Sequence, residues 1–142
     1  MMEISEVLWL HFGVTAYMVG VIALVQAVHY PLFSWVDRER YTEFQLEHMR
    51  RITWVVGPPM ILEAMLALGL VLVGHPEVSQ ELATAGLVLL GIVWGSTALQ
   101  QVPAHNRLMA SFDEAAHRKL VRSNWVRTTA WSARLLVAWA LL

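Results

Sequence analysis

The chain has 142 residues, 57% of them hydrophobic and 15% charged, with a net charge of −1 and no cysteine. Soluble domains carry about 25% charged residues, and a mean hydropathy of +0.51 is more apolar surface than a globule of this size can cover. The composition points to one domain in lipid. It excludes disulfides, thiolate metal sites and the basic surface of a nucleic-acid binder.

A helix needs about 20 apolar residues to span the hydrocarbon core. The N-terminal segment holds Glu3 and Glu6 but no Lys or Arg. It lacks the basic start of a cleaved signal peptide, so the first apolar run, residues 7–30, is expected as a retained span closed by Pro31. Residues 37–51, DRERYTEFQLEHMRR, contain neither Gly nor Pro and predict an amphipathic helix leading into a second span over 52–73. Pro58-Pro59 predicts a kink in that span, and Gly74-His75-Pro76 ends it. The third span is expected over 82–102, stopping at Pro103. Its Gly91 and Gly95 have the GxxxG spacing that serves close approach within a bundle or across a homodimer. Residues 111–123, SFDEAAHRKLVRS, open with Ser111 and Glu114 in capping-box spacing and predict a second amphipathic helix before a fourth span over 124–142.

The fold class expected is therefore all-α, an integral membrane four-helix bundle. Eight of the ten basic residues lie in two segments, Arg38, Arg40, Arg50 and Arg51 in one and Arg107, Arg118, Lys119 and Arg122 in the other. The positive-inside rule then places both segments in the cytoplasm and both termini outside, as in a bacterial inner membrane. Trp9, Trp35, Trp54 and Trp125 fall near span ends, where aromatic anchors sit. An offset of half the chain length aligns Tyr41 with Phe112, Glu43 with Glu114, Arg51 with Arg122 and Trp54-Val55 with Trp125-Val126. Identity elsewhere at that offset is at chance level, which leaves open whether the chain is a duplication.

Each span carries polar residues at helical spacing, and lipid drives such faces inward. Thr15, Gln26 and His29 lie on the first span, and Glu63 on the second, which comes after His48 and Arg51. Trp94, Thr97, Gln101 and then His105 lie on the third; Asn124, Arg127, Trp131 and Arg134 on the fourth. Glu63 and Arg134 sit at similar depth, where an unpaired charge costs on the order of 3 kcal/mol, and a mutual pair is the simplest way to reduce that cost, although depth alone does not decide whether they touch. The pair is either a strut or, with Glu63 as proton carrier, a functional site. A second cluster gathers Gln26, His29, His48, Gln101, His105, Asn124 and Arg127 at the basic end. Its three histidines could ligate iron, copper or zinc, with Glu47 or Glu63 adding a carboxylate, or simply hydrogen-bond. His11, His75 and His117 read as peripheral.

Val102-Pro103-Ala104-His105-Asn106-Arg107-Leu108 and Asn124-Trp125-Val126-Arg127-Thr128 give the second half a resemblance to the anthrone-oxygenase-like family of small four-span membrane proteins. The resemblance covers about a third of the chain. It implies a four-helix membrane fold and oxidation of a hydrophobic, aromatic substrate. His105 stands where that family tends to have Asn.

The function expected is a membrane oxidoreductase acting on a lipophilic quinone-like or aromatic substrate near the cytoplasmic end. His29, His48 and His105 would hold a metal, or a histidine would act as base. His105, Asn124, Arg127 and Glu63 are the candidate catalytic residues. Gln26, Gln101, Trp94, Trp131 and Arg134 are the candidate substrate contacts. A proton-coupled transporter using Glu63 and a non-catalytic assembly subunit are the rival readings.

Overall fold

A computed structural model describes residues 3–142, which form helices and turns. Helix α1 (Ile4–Leu24) starts on a capping box in which Glu6 accepts from the Glu3 backbone N–H at 2.9 Å. It widens into a π-helical turn, Val25–His29, and passes through a 3-10 turn, Pro31–Trp35. Helix α2 (Tyr41–Val73) stops at Gly74, whose φ of 61° only glycine adopts without strain. Ser79 caps α3 (Gln80–Ser96), which widens into a second π-helical turn, Thr97–Gln101, and continues as α4 (Val102–Ala110). Helix α5 (Glu114–Ala140) is capped by Asp113, which accepts from the Ala116 N–H at 2.9 Å.

Three sequence expectations are corrected. The third helix does not stop at Pro103. The π-helical turn before it frees a carbonyl, and the proline sits in the first turn of α4, where it has no N–H to lose. Asp113, not Ser111, caps the last helix. No break separates residues 41–51 or 114–123 from the apolar lengths they lead into. The helices expected over 37–51 and 111–123 start later, at Tyr41 and Glu114, and are the first turns of α2 and α5; α2 stays helical through Pro58 and Pro59.

Three helical stretches, Ile4–Trp35, Tyr41–Val73 and Gln80–Ala110, are long and apolar enough to cross a membrane. Helix α5 has the length, but its 27 residues include Asn124, Arg127 and Arg134, all buried. Helix α1 packs on α2 and α5, and α3 also packs on α2 and α5. This closes a four-membered ring with α1 diagonal to α3 and α2 diagonal to α5. Trp9, Trp35, Trp54 and Trp125 are exposed on its outside.

The halves repeat one another: helix, π-helical turn, proline, then a long helix. Pro31 and Pro103 each come two residues after their π-helical turn. The aligned Tyr41 and Phe112 meet edge to face at 4.9 Å. One apolar cluster fills the basic end around Met18, Phe33, Tyr41, Leu108 and Leu120. Another fills the far end around Leu8, Leu70, Val78 and Leu141.

Candidate functional site

Two polar groups lie inside the ring. The first is a hub that touches all four long helices. Glu63 of α2 is fully buried and accepts from Arg134 Nε at 2.8 Å, from Thr15 Oγ1 at 2.8 Å and from Trp131 Nε1 at 3.0 Å. The Arg134 guanidinium also donates to the Gly86 carbonyl and, at 2.8 Å, to His11 Nε2. A Cβ on Gly86 would stand 3.3 Å from Arg134 Nη1, so glycine is what lets the guanidinium reach that carbonyl. Each carboxylate oxygen has a donor and each guanidinium nitrogen an acceptor, which is what a buried ion pair needs to offset its desolvation.

The hub also obeys the half-chain offset. Glu63 and Arg134 are 71 residues apart. Thr15 precedes Glu63 by 48 residues, and Gly86 precedes Arg134 by 48. Equivalent positions of the two halves thus meet at the centre of the ring.

The second group lies at the basic end, where the π-helical turns bring Gln26 and Gln101 inward. Asn124 Nδ2 donates to Gln26 Oε1 at 3.0 Å, and Gln101 Nε2 donates to Ser123 Oγ at 2.8 Å. His29 Nε2 and His48 Nδ1 share a hydrogen bond of 2.9 Å. His105 lies between Gln45, whose Nε2 is 2.8 Å from Nδ1, and Tyr30, whose hydroxyl is 3.0 Å from Nε2. His117 Nε2 donates to the Tyr30 carbonyl at 2.8 Å. Arg127 is 5% exposed, with its guanidinium 5.2 Å from the Trp131 ring centroid. It has no carboxylate within ion-pair distance among the described residues.

Unlike the hub, this group is unsaturated. Gln45 Oε1, His48 Nε2, Gln101 Oε1, Asn124 Oδ1 and Arg127 Nε are buried without a partner, against one such atom in the hub, His11 Nδ1. Orphaned buried polar atoms are uncommon, and several in one place mark a ligand or water site. A cavity of about 160 Å³ lies there. Its walls are apolar (Met18, Ile22, Val25, Val56, Met60), with Tyr30, Gln101, His105 and Arg127 supplying polar atoms. Thr53 and Val102, which also line it, are exposed on the outside of the ring.

Of the predicted site residues, Gln101, His105 and Arg127 line this cavity, and Gln26 and Asn124 bond beside it. His29 and His48 face a neighbouring groove, and Glu63, Trp131 and Arg134 meet in the hub. Trp94 is half exposed and lines neither site. The three histidines predicted as metal ligands do converge, with ring centroids of His29 and His48 at 4.8 Å and of His48 and His105 at 5.4 Å. His105 is hydrogen-bonded at both ring nitrogens and His29 Nε2 is taken up by His48 Nδ1, which leaves His48 Nε2 without a partner, and no group of three His, Asp or Glu among the described residues is arranged to hold a metal ion. The carboxylates offered as further ligands are committed to Arg50, Arg51 and Arg134.

Four residues escaped the sequence reading. His11 and His117 are buried rather than peripheral. Tyr30 and Gln45 flank His105 without a spacing signal, because their partner is 75 and 60 residues away. No protein-family profile, curated protein or solved structure matches the chain.

Proposed function

We propose that the chain is a four-span membrane oxidoreductase, basic end in the cytoplasm, that takes the ring end of a lipophilic phenol- or quinone-like molecule into the cavity beside Arg127. The observation that carries this is a buried guanidinium with no carboxylate, at the polar end of an otherwise apolar cavity. A buried cation without a counter-ion is expensive, and an oxyanion or polarised carbonyl on a ligand would offset that. Cavities of about 150 Å³ hold one aromatic ring. The site therefore suits a ring head group with its apolar remainder passing between Thr53 and Val102 into lipid, not a whole polycycle.

Proton handling falls to Tyr30 and His105. As placed, the Gln45 amide donates to His105 Nδ1, so Nε2 carries the hydrogen and donates to the Tyr30 oxygen. That leaves the Tyr30 hydroxyl hydrogen free for a ligand oxygen. Turning the Gln45 amide, whose Oε1 has no partner, reverses the chain and gives His105 a lone pair toward Tyr30. The substrate's proton then passes to His105 by way of the hydroxyl, and Arg127 holds the resulting oxyanion. With dioxygen as oxidant, a ring CH2 becomes a carbonyl. One oxygen atom stays on carbon, and the other leaves as water with the two hydrogens. The resemblance in residues 102–108 and 124–128 favours this class of reaction.

Protein in lipid nanodiscs should bind a hydroxynaphthoquinone probe with quenching of tryptophan fluorescence. Arg127→Leu should abolish the quenching while its melting temperature holds. Equal binding by Arg127→Leu would overturn the assignment.

A further inference from the structure

The offset that relates the two halves also relates two surface grooves. The groove beside α5 has a volume of about 490 Å³ and is lined by Gln100, Ala115, Arg118, Lys119, Arg122, Ser123 and Val126. Shifted back by the 71 residues that separate Arg134 from Glu63, these become His29, Phe44, Glu47, His48, Arg51, Ile52 and Val55. Every one of them lines the groove of about 680 Å³ beside α2. The two grooves are the same feature built twice.

Their chemistry has diverged. The α2 groove adds Asp37, Arg40 and Glu43, so three carboxylates face two guanidiniums above an apolar floor of Phe44, Ile52 and Val55. Within it, Glu47 accepts from Arg51 Nε at 2.6 Å and Arg40 lies 3.8 Å from Glu43. The α5 groove has three cations and no carboxylate in its lining. Arg118 pairs with Glu114, outside the groove, while Lys119 and Arg122 have no ion-pair partner among the described residues. Gln100 adds an amide, the Ser123 hydroxyl is turned to the Lys119 carbonyl at 2.7 Å, and Val126 continues the floor toward the apolar length of the bundle, beside the exposed Trp125.

We propose that the α5 groove, formed by Gln100, Arg118, Lys119, Arg122 and Ser123, binds the phosphodiester head group of an anionic phospholipid. The charge favours an anion. The place, where basic side chains meet the end of apolar helices, is where such head groups lie, and Val126 and Trp125 offer the acyl chains an apolar surface. The α2 groove has the same register with carboxylates in its lining, and serves as the internal control. The site is separate from the Arg127 cavity and needs no turnover.

Native mass spectrometry of the detergent-solubilised protein tests this with three probes: phosphatidylglycerol, phosphatidylcholine and inorganic phosphate. One phosphatidylglycerol should be retained per chain. Lys119→Gln with Arg122→Gln should weaken its binding about thirtyfold, as expected for the loss of two charges near a head group. Arg40→Gln with Arg51→Gln should leave binding unchanged, and circular-dichroism melting should show both double variants folded. Equal retention of phosphatidylcholine, displacement by inorganic phosphate, or equal loss in the α2-groove variant would overturn the proposal.

Discussion

The hub around Glu63 and the cluster around Arg127 use the same kinds of side chain and end up opposite in character. In the hub, the charges face each other across the ring and nearly every polar atom is paired. At the basic end, a comparable set of buried groups leaves five atoms unpaired, and two of the residues that carry them, Gln101 and Arg127, line a cavity. A saturated network rigidifies, and the proposed function rests on a ligand completing the unsaturated one. Saturation thus distinguishes the two groups without reference to which residues are charged. Glu63, offered by the sequence as a proton carrier or catalytic group, accepts three hydrogen bonds and lines no described cavity.

The largest expected effect comes from breaking the hub. Glu63→Ala leaves Arg134 buried without its carboxylate and should lower stability by about 3–5 kcal/mol, read as the unfolding midpoint in mixed micelles. Glu63→Gln keeps two acceptor or donor contacts and should fall between that variant and the parent. At the basic end the pattern inverts. Arg127→Leu should cost little stability or add some, since it removes a buried cation that has no carboxylate to neutralise it, while probe binding disappears. His105→Phe should keep probe binding and slow turnover by roughly 10²–10⁴, the usual worth of a general base, measured as dioxygen uptake with an aromatic CH2 substrate. A smaller effect is expected at Gly86→Ala, where Arg134 Nη1 and Val137 Cγ1 must each give way by a few tenths of an ångström; about 1 kcal/mol of destabilisation fits that crowding. Smallest of all, Trp94→Ala should stay within about 0.5 kcal/mol of the parent and leave binding intact, as an exposed substitution does.

Much of this was legible in the sequence. Equal depth made a Glu63–Arg134 pair the simplest arrangement without deciding it, and helix order alone predicted that His29, His48, His105, Asn124 and Arg127 would gather at one end. The half-chain offset aligned Tyr41 with Phe112, which touch in the fold. What failed has two physical causes. The stripe Trp94, Thr97, Gln101 assumes an unbroken 3.6-residue period, but the π-helical turn over 97–101 inserts one residue and rotates the next stretch of helix by about 100°. Gln101 therefore faces the interior with Val93, and Trp94 faces outward. A π-helical turn leaves no mark in hydrophobic periodicity. Tyr30 and Gln45 were missed because a polar side chain one step off a stripe is indistinguishable from a surface residue until its distant partner is placed.

The central claim is that the buried charge of Arg127 is held for a ligand whereas that of Arg134 is held for the fold. Measuring unfolding midpoint and hydroxynaphthoquinone affinity together on Arg127→Leu tests it most directly. The expected result is a midpoint equal to or above the parent's and no detectable affinity. A midpoint several degrees lower with affinity intact would make Arg127 a second strut and contradict it.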